Sequence, residues 1–252
     1  MKNRLCLFLA FFIFSFGFTQ KKIRLLMIGN SFTFYYNLPM TIEQFSKYRG
    51  LNWEVHQSTA GGASFKHHWN SEKGLSSIKK IKNNKYAYII FQEYSSYPLI
   101  AIDTTQKYLN LLHKSASNKS KKFLYATWSY PNILKNNNLF TPYSKLIEDK
   151  LEKIKPSSDF DILPVGRAFD LFQSRHPNQT LFTSDNKHPN PIGCYLAACV
   201  IFSKISNQSS VGFPKRVFDK TNNEKDIYYF IVEEEMAKNC QLIADEIVFN
   251  SN

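Results

Sequence analysis

A serine hydroxyl becomes a nucleophile when a base takes its proton, and the base works best when a third group fixes its tautomer and stabilises the imidazolium. Three residues of this chain have the required types: Ser31 in Gly29-Asn30-Ser31-Phe32-Thr33, and Asp185 and His188 in Asp185-Asn186-Lys187-His188. Their chemistry would be displacement at a carbonyl, with Ser31 attacking, His188 accepting the proton and Asp185 orienting His188. Donors aimed at the developing oxyanion are also needed, each worth roughly 10²–10³ in rate. Ala60-Gly61-Gly62-Ala63-Ser64 lets the backbone N–H of Gly62 approach a substrate closely, and Phe91-Gln92-Glu93 carries a side-chain amide able to donate. Taken singly, each has a plainer reading: a serine capping the next helix, a loop bend, a polar strand end.

These segments follow short apolar runs, and those runs predict the scaffold. Ile23 to Ile28, Trp53 to Gln57, Tyr88 to Phe91, Phe123 to Ala126 and Ile162 to Val165 read as strands, separated by longer amphipathic stretches. That alternation predicts a parallel sheet of about five strands with helices on both faces. Open parallel sheets hold ligands at the carboxyl ends of their strands, where these residues fall. Asp103-Thr104-Thr105-Gln106 fits a capping box, and Thr141-Pro142 and Asn190-Pro191 fit a cap followed by a first-turn proline. Apolar residues from Ile227 to Ile247 recur near helical spacing and predict one closing helix over Asp226 to Phe249. No repeat or long linker divides residues 20–252, which read as one catalytic domain.

Residues 1–19 differ from the rest. Lys2 and Arg4 precede an apolar run from Leu5 to Phe18, too short for a membrane span, and small residues precede Gln20. The pattern predicts a signal peptide and an exported, periplasmic or extracellular protein with no stable membrane insertion after its removal. A retained signal anchor is the alternative. Cys194, Cys199 and Cys240 are odd in number and lack metal-ligand spacing, so buried free thiols are expected and no metal. His56, His113 and His176 have no partner at such spacing either.

The formal charge of +12 falls to +10 without Lys2 and Arg4. It suits either a polyanionic substrate or a solvated, compositionally biased surface. No stripe of Arg and aromatic residues points to nucleic acid.

In order along the chain, Gly29-Asn30-Ser31, Gly61-Gly62, the amide after the third strand and Asp185-x-x-His188 resemble the four blocks of the SGNH (GDSL-type) hydrolases. The resemblance is strongest to a bacterial branch, on Phe32, Gly62-Ala63-Ser64 with His68-Trp69, Gln92-Glu93, Pro164-Val165-Gly166, and His188-Pro189 followed by Gly193-x-Tyr195-Leu196-Ala197-Ala198. It implies a three-layer α/β/α, flavodoxin-like fold and ester hydrolysis through an acyl-enzyme without a cofactor. The amides of Ser31 and Gly62 and the side chain of Gln92 would hold the oxyanion. Two departures stand out: Gln92 where the family mostly has Asn, and Asn186 where a Gly often sits, a change a turn tolerates.

Asn30, His68, Trp69 and Glu93 are further candidates for substrate binding, with a structural role equally open for His68 and a backbone-bonded carboxylate the plainer reading of Glu93. Trp128 is expected either to wall the pocket or to pack. The resemblance favours a carbohydrate O-acetyl esterase acting on a glycan or small ester. A lipid or aryl esterase is the alternative, disfavoured because no loop reads as an apolar flap. An inactive carbohydrate-binding protein on the same fold is the alternative from another class, supported by the Gln92 exchange. Protein partners are not legible.

Overall fold

The run Leu25-Leu26-Met27-Ile28 is wholly buried, as a central parallel strand between two helix layers must be. A computed structural model describes residues 22–131, 133, 143–220 and 224–250. The leader read over residues 1–19 and the Thr141-Pro142 helix start lie outside these. In chain order the elements are β1 (Ile23–Gly29), α1 (Ser31–Phe34), α2 (Leu38–Tyr48), β2 (Trp53–Thr59), α3 (Phe65–Trp69), α4 (Ser77–Asn83), β3 (Tyr88–Phe91), α5 (Tyr97–Ile100) and α6 (Ile102–Ser115). They continue with β4 (Lys121–Tyr125), α7 (Tyr143–Lys153), β5 (Phe160–Leu163), α8 (Val165–Arg175), α9 (Pro191–Ser206), β6 (Arg216–Lys220), β7 (Asp226–Ile231) and α10 (Glu234–Phe249).

Strands β1 to β5 form one sheet in the order β2-β1-β3-β4-β5, every neighbouring pair parallel. This is the flavodoxin-like order, in which the chain reverses its winding between β1 and β3 and leaves a crevice there. Leu25 and Met27 face a core shared with α2, α8, α9 and α10. Leu26 and Ile28 face the other core, with α3, α6 and α7. Three layers result. Helix α9 is buried almost all round, as a helix enclosed by neighbours must be.

The five strands fall where the sequence places them, with ends shifted by up to two residues. Three other expectations are corrected. Residues 226–249 are not one helix: β6 and β7 pair antiparallel and only Glu234–Phe249 is helical. The run Ile227-Tyr228-Tyr229-Phe230-Ile231 is β-branched and aromatic, which favours a strand over the accidental helical spacing of its apolar residues. Asp103 lies inside the first turn of α6, whose N-cap is Ala101 with no side-chain cap bond; a reciprocal cap forms instead at α3, where His67 Nδ1 accepts the Ser64 N–H at 3.0 Å. The hairpin also exposes Phe218, Ile227, Tyr228 and Ile231, an apolar surface no loop was expected to carry.

Asn190 caps α9 as read, accepting the Gly193 N–H at 3.0 Å with Pro191 in the first turn. Cys194, Cys199 and Cys240 are buried free thiols. Among the described residues no helix is long and apolar enough to cross a membrane.

Candidate active site

Strand β1 ends at Gly29, and α1 begins at Ser31 with Asn30 as its N-cap, the Asn30 side chain accepting the Phe32 N–H at 3.1 Å. The short helix turns the Ser31 hydroxyl out at the sheet's carboxyl edge. His188 Nε2 lies 2.8 Å from Ser31 Oγ, and His188 Nδ1 lies 2.5 Å from Asp185 Oδ2. Asp185 is a carboxylate, so Nδ1 donates and Nε2 is left free to accept the serine proton. The structure thus brings Ser31, His188 and Asp185 into one hydrogen-bonded line.

Asp185 is held in turn by its own loop. Its Oδ1 accepts the Thr183 hydroxyl at 2.8 Å and the N–H groups of Lys187 and His188 at 2.9 Å each. Partial desolvation pushes the carboxyl upward, but the bonds from the His188 ring, the His188 and Lys187 N–H groups and Thr183 outweigh it and hold the group well below the usual carboxylate range. The loop closes on itself through Thr183 N–H to His188 O at 2.8 Å, with Asn186 left-handed at φ 53°. Asn takes the turn conformation a Gly would otherwise supply. Gly193 lets this loop lie on α9, since a Cβ there would stand 2.5 Å from Leu181 O.

Gly62 adopts φ +61° and is exposed. Among the described residues, neither its N–H nor that of Ser31 meets a backbone or side-chain acceptor, which leaves both for an oxyanion. The Asn30 side chain ties the two turns together by donating to Ala63 O at 3.0 Å.

Gln92 does not join them. It is fully buried beneath the Ser31 turn, where its Oε1 accepts the Asn30 N–H at 2.9 Å and the Thr33 hydroxyl at 3.0 Å. The Asn30 N–H is a fixed donor, so the facing atom is the oxygen; Nε2 points the other way and donates to Glu93 O. The expectation that Gln92 supplies a third oxyanion donor is therefore corrected: the longer side chain reaches back under the turn and fastens it. Gly29 makes room for that contact, because a Cβ there would stand 2.6 Å from Gln92 Oε1 and 2.2 Å from Thr33 Oγ1.

Three of the four candidates for substrate binding are also displaced from the cleft. Asn30, His68 and Glu93 are all buried. His68 Nε2 donates to Gly29 O at 3.1 Å, and its Nδ1 accepts from Ser77 Oγ at 2.7 Å, which itself pairs with Ser58 Oγ at 2.9 Å. Burial pushes this imidazole down to about 4, the Gly29 carbonyl opposing the shift and His67 adding to it. A neutral ring anchors the end of β1. Glu93 Oε1 accepts the Phe65 N–H at 2.9 Å and the Tyr94 N–H at 2.7 Å. Trp69 is half-buried and packs on the α3–α6 core.

Trp128 packs instead of walling the cleft. It is wholly buried, stacked between Phe32 at 4.4 Å and Phe169 at 4.3 Å between ring centroids, and its Nε1 donates to Lys187 O at 3.1 Å. One side chain thus joins the serine turn to the histidine loop. Sequence reasoning missed Tyr35, whose ring stacks on His188, and Tyr94 and Tyr130, which flank Lys187. Tyr35 follows Ser31 by four residues, and that proximity to the motif was the available signal.

No protein-family model and no curated protein matches the chain. Solved structures do. A DUF4886-family protein from Bacteroides uniformis superposes with a TM-score of 0.69 at 18% identity, covering 92% of this chain and 97% of its own. A proposed SGNH hydrolase from Slackia heliotrinireducens gives 0.60 at 21% identity, over 73% of this chain and all of its own length (100%). The fold is that of the SGNH hydrolases. A carbohydrate esterase of family 3 from Talaromyces cellulolyticus superposes with a TM-score of 0.56 at 11% identity over 73% of this chain and 97% of its own. At these identities the likeness is one of fold. Among the described residues no group of three His, Cys, Asp or Glu is placed to hold a metal ion.

Proposed function

We propose that this chain is an exported serine ester hydrolase that works through an acyl-enzyme and removes O-acetyl groups from carbohydrate. The observation that carries the reading is the hydrogen-bonded line Ser31–His188–Asp185, at 2.8 and 2.5 Å, at the carboxyl edge of the sheet. Ser31 Oγ attacks the ester carbonyl while His188 Nε2 takes its proton. The carbonyl oxygen, now an anion, is held by the N–H groups of Ser31 and Gly62. Collapse breaks the bond to the alcohol oxygen, which leaves with the proton from His188. Water then repeats the sequence on the acyl-serine and frees the acid.

The family 3 carbohydrate esterase among the structural neighbours supports the carbohydrate version, and the basic start and short apolar run of residues 1–19 support export. The inactive-binder alternative keeps its one support, since Gln92 is bonded beneath the turn and leaves two oxyanion donors, the N–H groups of Ser31 and Gly62; fluorophosphonate labelling separates the two readings.

A lipid ester substrate is favoured by one observation, the exposed Phe218, Ile227, Tyr228 and Ile231 of the hairpin. Phe230 of that hairpin meets Tyr36 edge-on at 6.5 Å, next to the Tyr35 that covers His188. Acetate release from an acetylated oligosaccharide, set beside p-nitrophenyl esters of increasing acyl length, separates the two. The carbohydrate reading expects acetyl esters to be the best substrates; activity restricted to long acyl chains overturns it.

A further inference from the structure

Lys187 stands between the acid and the base of the proposed triad, and its backbone is fixed from both sides: its N–H goes to Asp185 Oδ1 and its carbonyl accepts from Trp128 Nε1. The side chain leaves that clamp over two tyrosines, with Nζ 5.7 Å from the Tyr94 ring centroid and 5.2 Å from that of Tyr130. Each ring lies beside a residue next to the proposed site. Tyr94 lies beside the Gly62 turn, where a Cβ on Gly62 would stand 3.8 Å from its Cε2. Tyr130 meets Phe32, the residue after the nucleophile, edge-on at 6.0 Å.

No carboxylate among the described residues lies within ion-pair distance of this ammonium. A second lysine marks the same flank: Lys73 Nζ donates to Gly61 O at 3.2 Å, and it too has no carboxylate within that distance among the described residues. The nearest acid in sequence, Glu72, is engaged by His67 and Asn70. Aromatic faces hold an ammonium in place without neutralising its charge. Two lysines therefore lie on this flank of the cleft, neither ammonium in an ion pair among the described residues.

We infer that Lys187 is a specificity-determining residue and that the substrate bears a negative charge close to the scissile ester. This rests on the proposed deacetylation: an acetyl group carries no charge, so the anion belongs to the alcohol portion, a uronic acid being the carbohydrate form. Lys187 meets its carboxylate, Lys73 adds attraction on the Gly61 side, and the excess of Lys and Arg over Asp and Glu in the chain, 32 against 20, favours the encounter.

The test compares two acetyl esters that differ only in the carboxylate, an O-acetylated methyl glucuronoside and the matching O-acetylated methyl glucoside. Wild type is expected to favour the anionic ester about tenfold in kcat/KM at low ionic strength, the preference shrinking toward about 0.5 M salt. Lys187→Gln lowers the ratio between the two esters about tenfold, mainly through the KM of the anionic one, and Lys187→Arg restores most of it. An equal kcat/KM for the two esters in wild type overturns the inference, as does a Lys187→Gln variant with an unchanged ratio. So does an enzyme that labels with a fluorophosphonate yet turns over neither ester. A wild type that fails to label removes the hydrolase reading itself.

Discussion

The ring of Tyr35 lies flat on the imidazole of His188, centroids 4.4 Å apart and planes 10° from parallel. Asp185 fixes His188 at one ring nitrogen, while the stacked face fixes the plane about that bond. Such an aromatic contact contributes about 0.5–1.5 kcal/mol. Tyr35→Ala is therefore expected to lower kcat roughly two- to tenfold, and Tyr35→Phe to restore it. Steady-state kinetics on p-nitrophenyl acetate measures both; a Tyr35→Phe variant as slow as Tyr35→Ala places the effect in the hydroxyl, not the face.

Gln92 is expected to act on stability and activity together. Gln92→Leu leaves the Asn30 N–H and the Thr33 hydroxyl without their shared acceptor in a buried site, a loss of about 1–3 kcal/mol. Urea unfolding should show that loss, and kcat should fall because the turn carrying Ser31 loosens. A variant with full stability and a hundredfold lower kcat contradicts this assignment and returns Gln92 to the oxyanion site.

Glu93 predicts a pH dependence of stability. Burial pushes its carboxyl from 4.5 up to about 7, against the lowering effect of the Tyr94 and Phe65 N–H groups. The folded protein then keeps a proton that the unfolded chain releases above about 4.5, so this group's contribution is greatest at low pH and is lost as pH rises toward 7. Unfolding free energies of wild type and Glu93→Gln between these limits should converge or cross as pH rises, the wild type losing ground. A difference independent of pH shows that the Glu93 carboxyl titrates alike in the folded and unfolded chain.

The strands were legible because a parallel strand covered on both faces must be apolar over its whole length, as Leu25 to Ile28 is. The meeting of Ser31, His188 and Asp185 was legible because the chemistry proposed for them demands particular residue types, one at the end of β1 and two in the loop before α9. What escaped depends on contacts across the fold. Nothing local in Gln92-Glu93 says whether the amide faces the cleft or the Asn30 N–H. His68 and Glu93 have the residue types of a site and the burial of a core, and only the packing of α3 against β1 and β3 decides between them. The hairpin at Arg216–Lys220 and Asp226–Ile231 was hidden because Ile227, Phe230 and Ile231 fall at helical spacing just ahead of the helical run that starts near Met236.

Trp128 joins Phe32 to the Lys187 carbonyl, so it couples the two loops that must meet. Trp128→Phe keeps the stack and removes the Nε1 bond. It is expected to cost about 1 kcal/mol in stability and to lower kcat. Circular dichroism melts alongside initial rates measure this; unchanged kcat with lowered stability makes the tryptophan a packing residue alone.

The central claim is that Ser31 is a nucleophile activated by His188, and covalent labelling by a fluorophosphonate at neutral pH tests it most directly. Wild type is expected to label at one site, Ser31→Ala not at all, and His188→Ala more slowly by several orders of magnitude, since the members of a triad act as a unit. A wild type that does not label, or a Ser31→Ala variant that labels like it, contradicts the account.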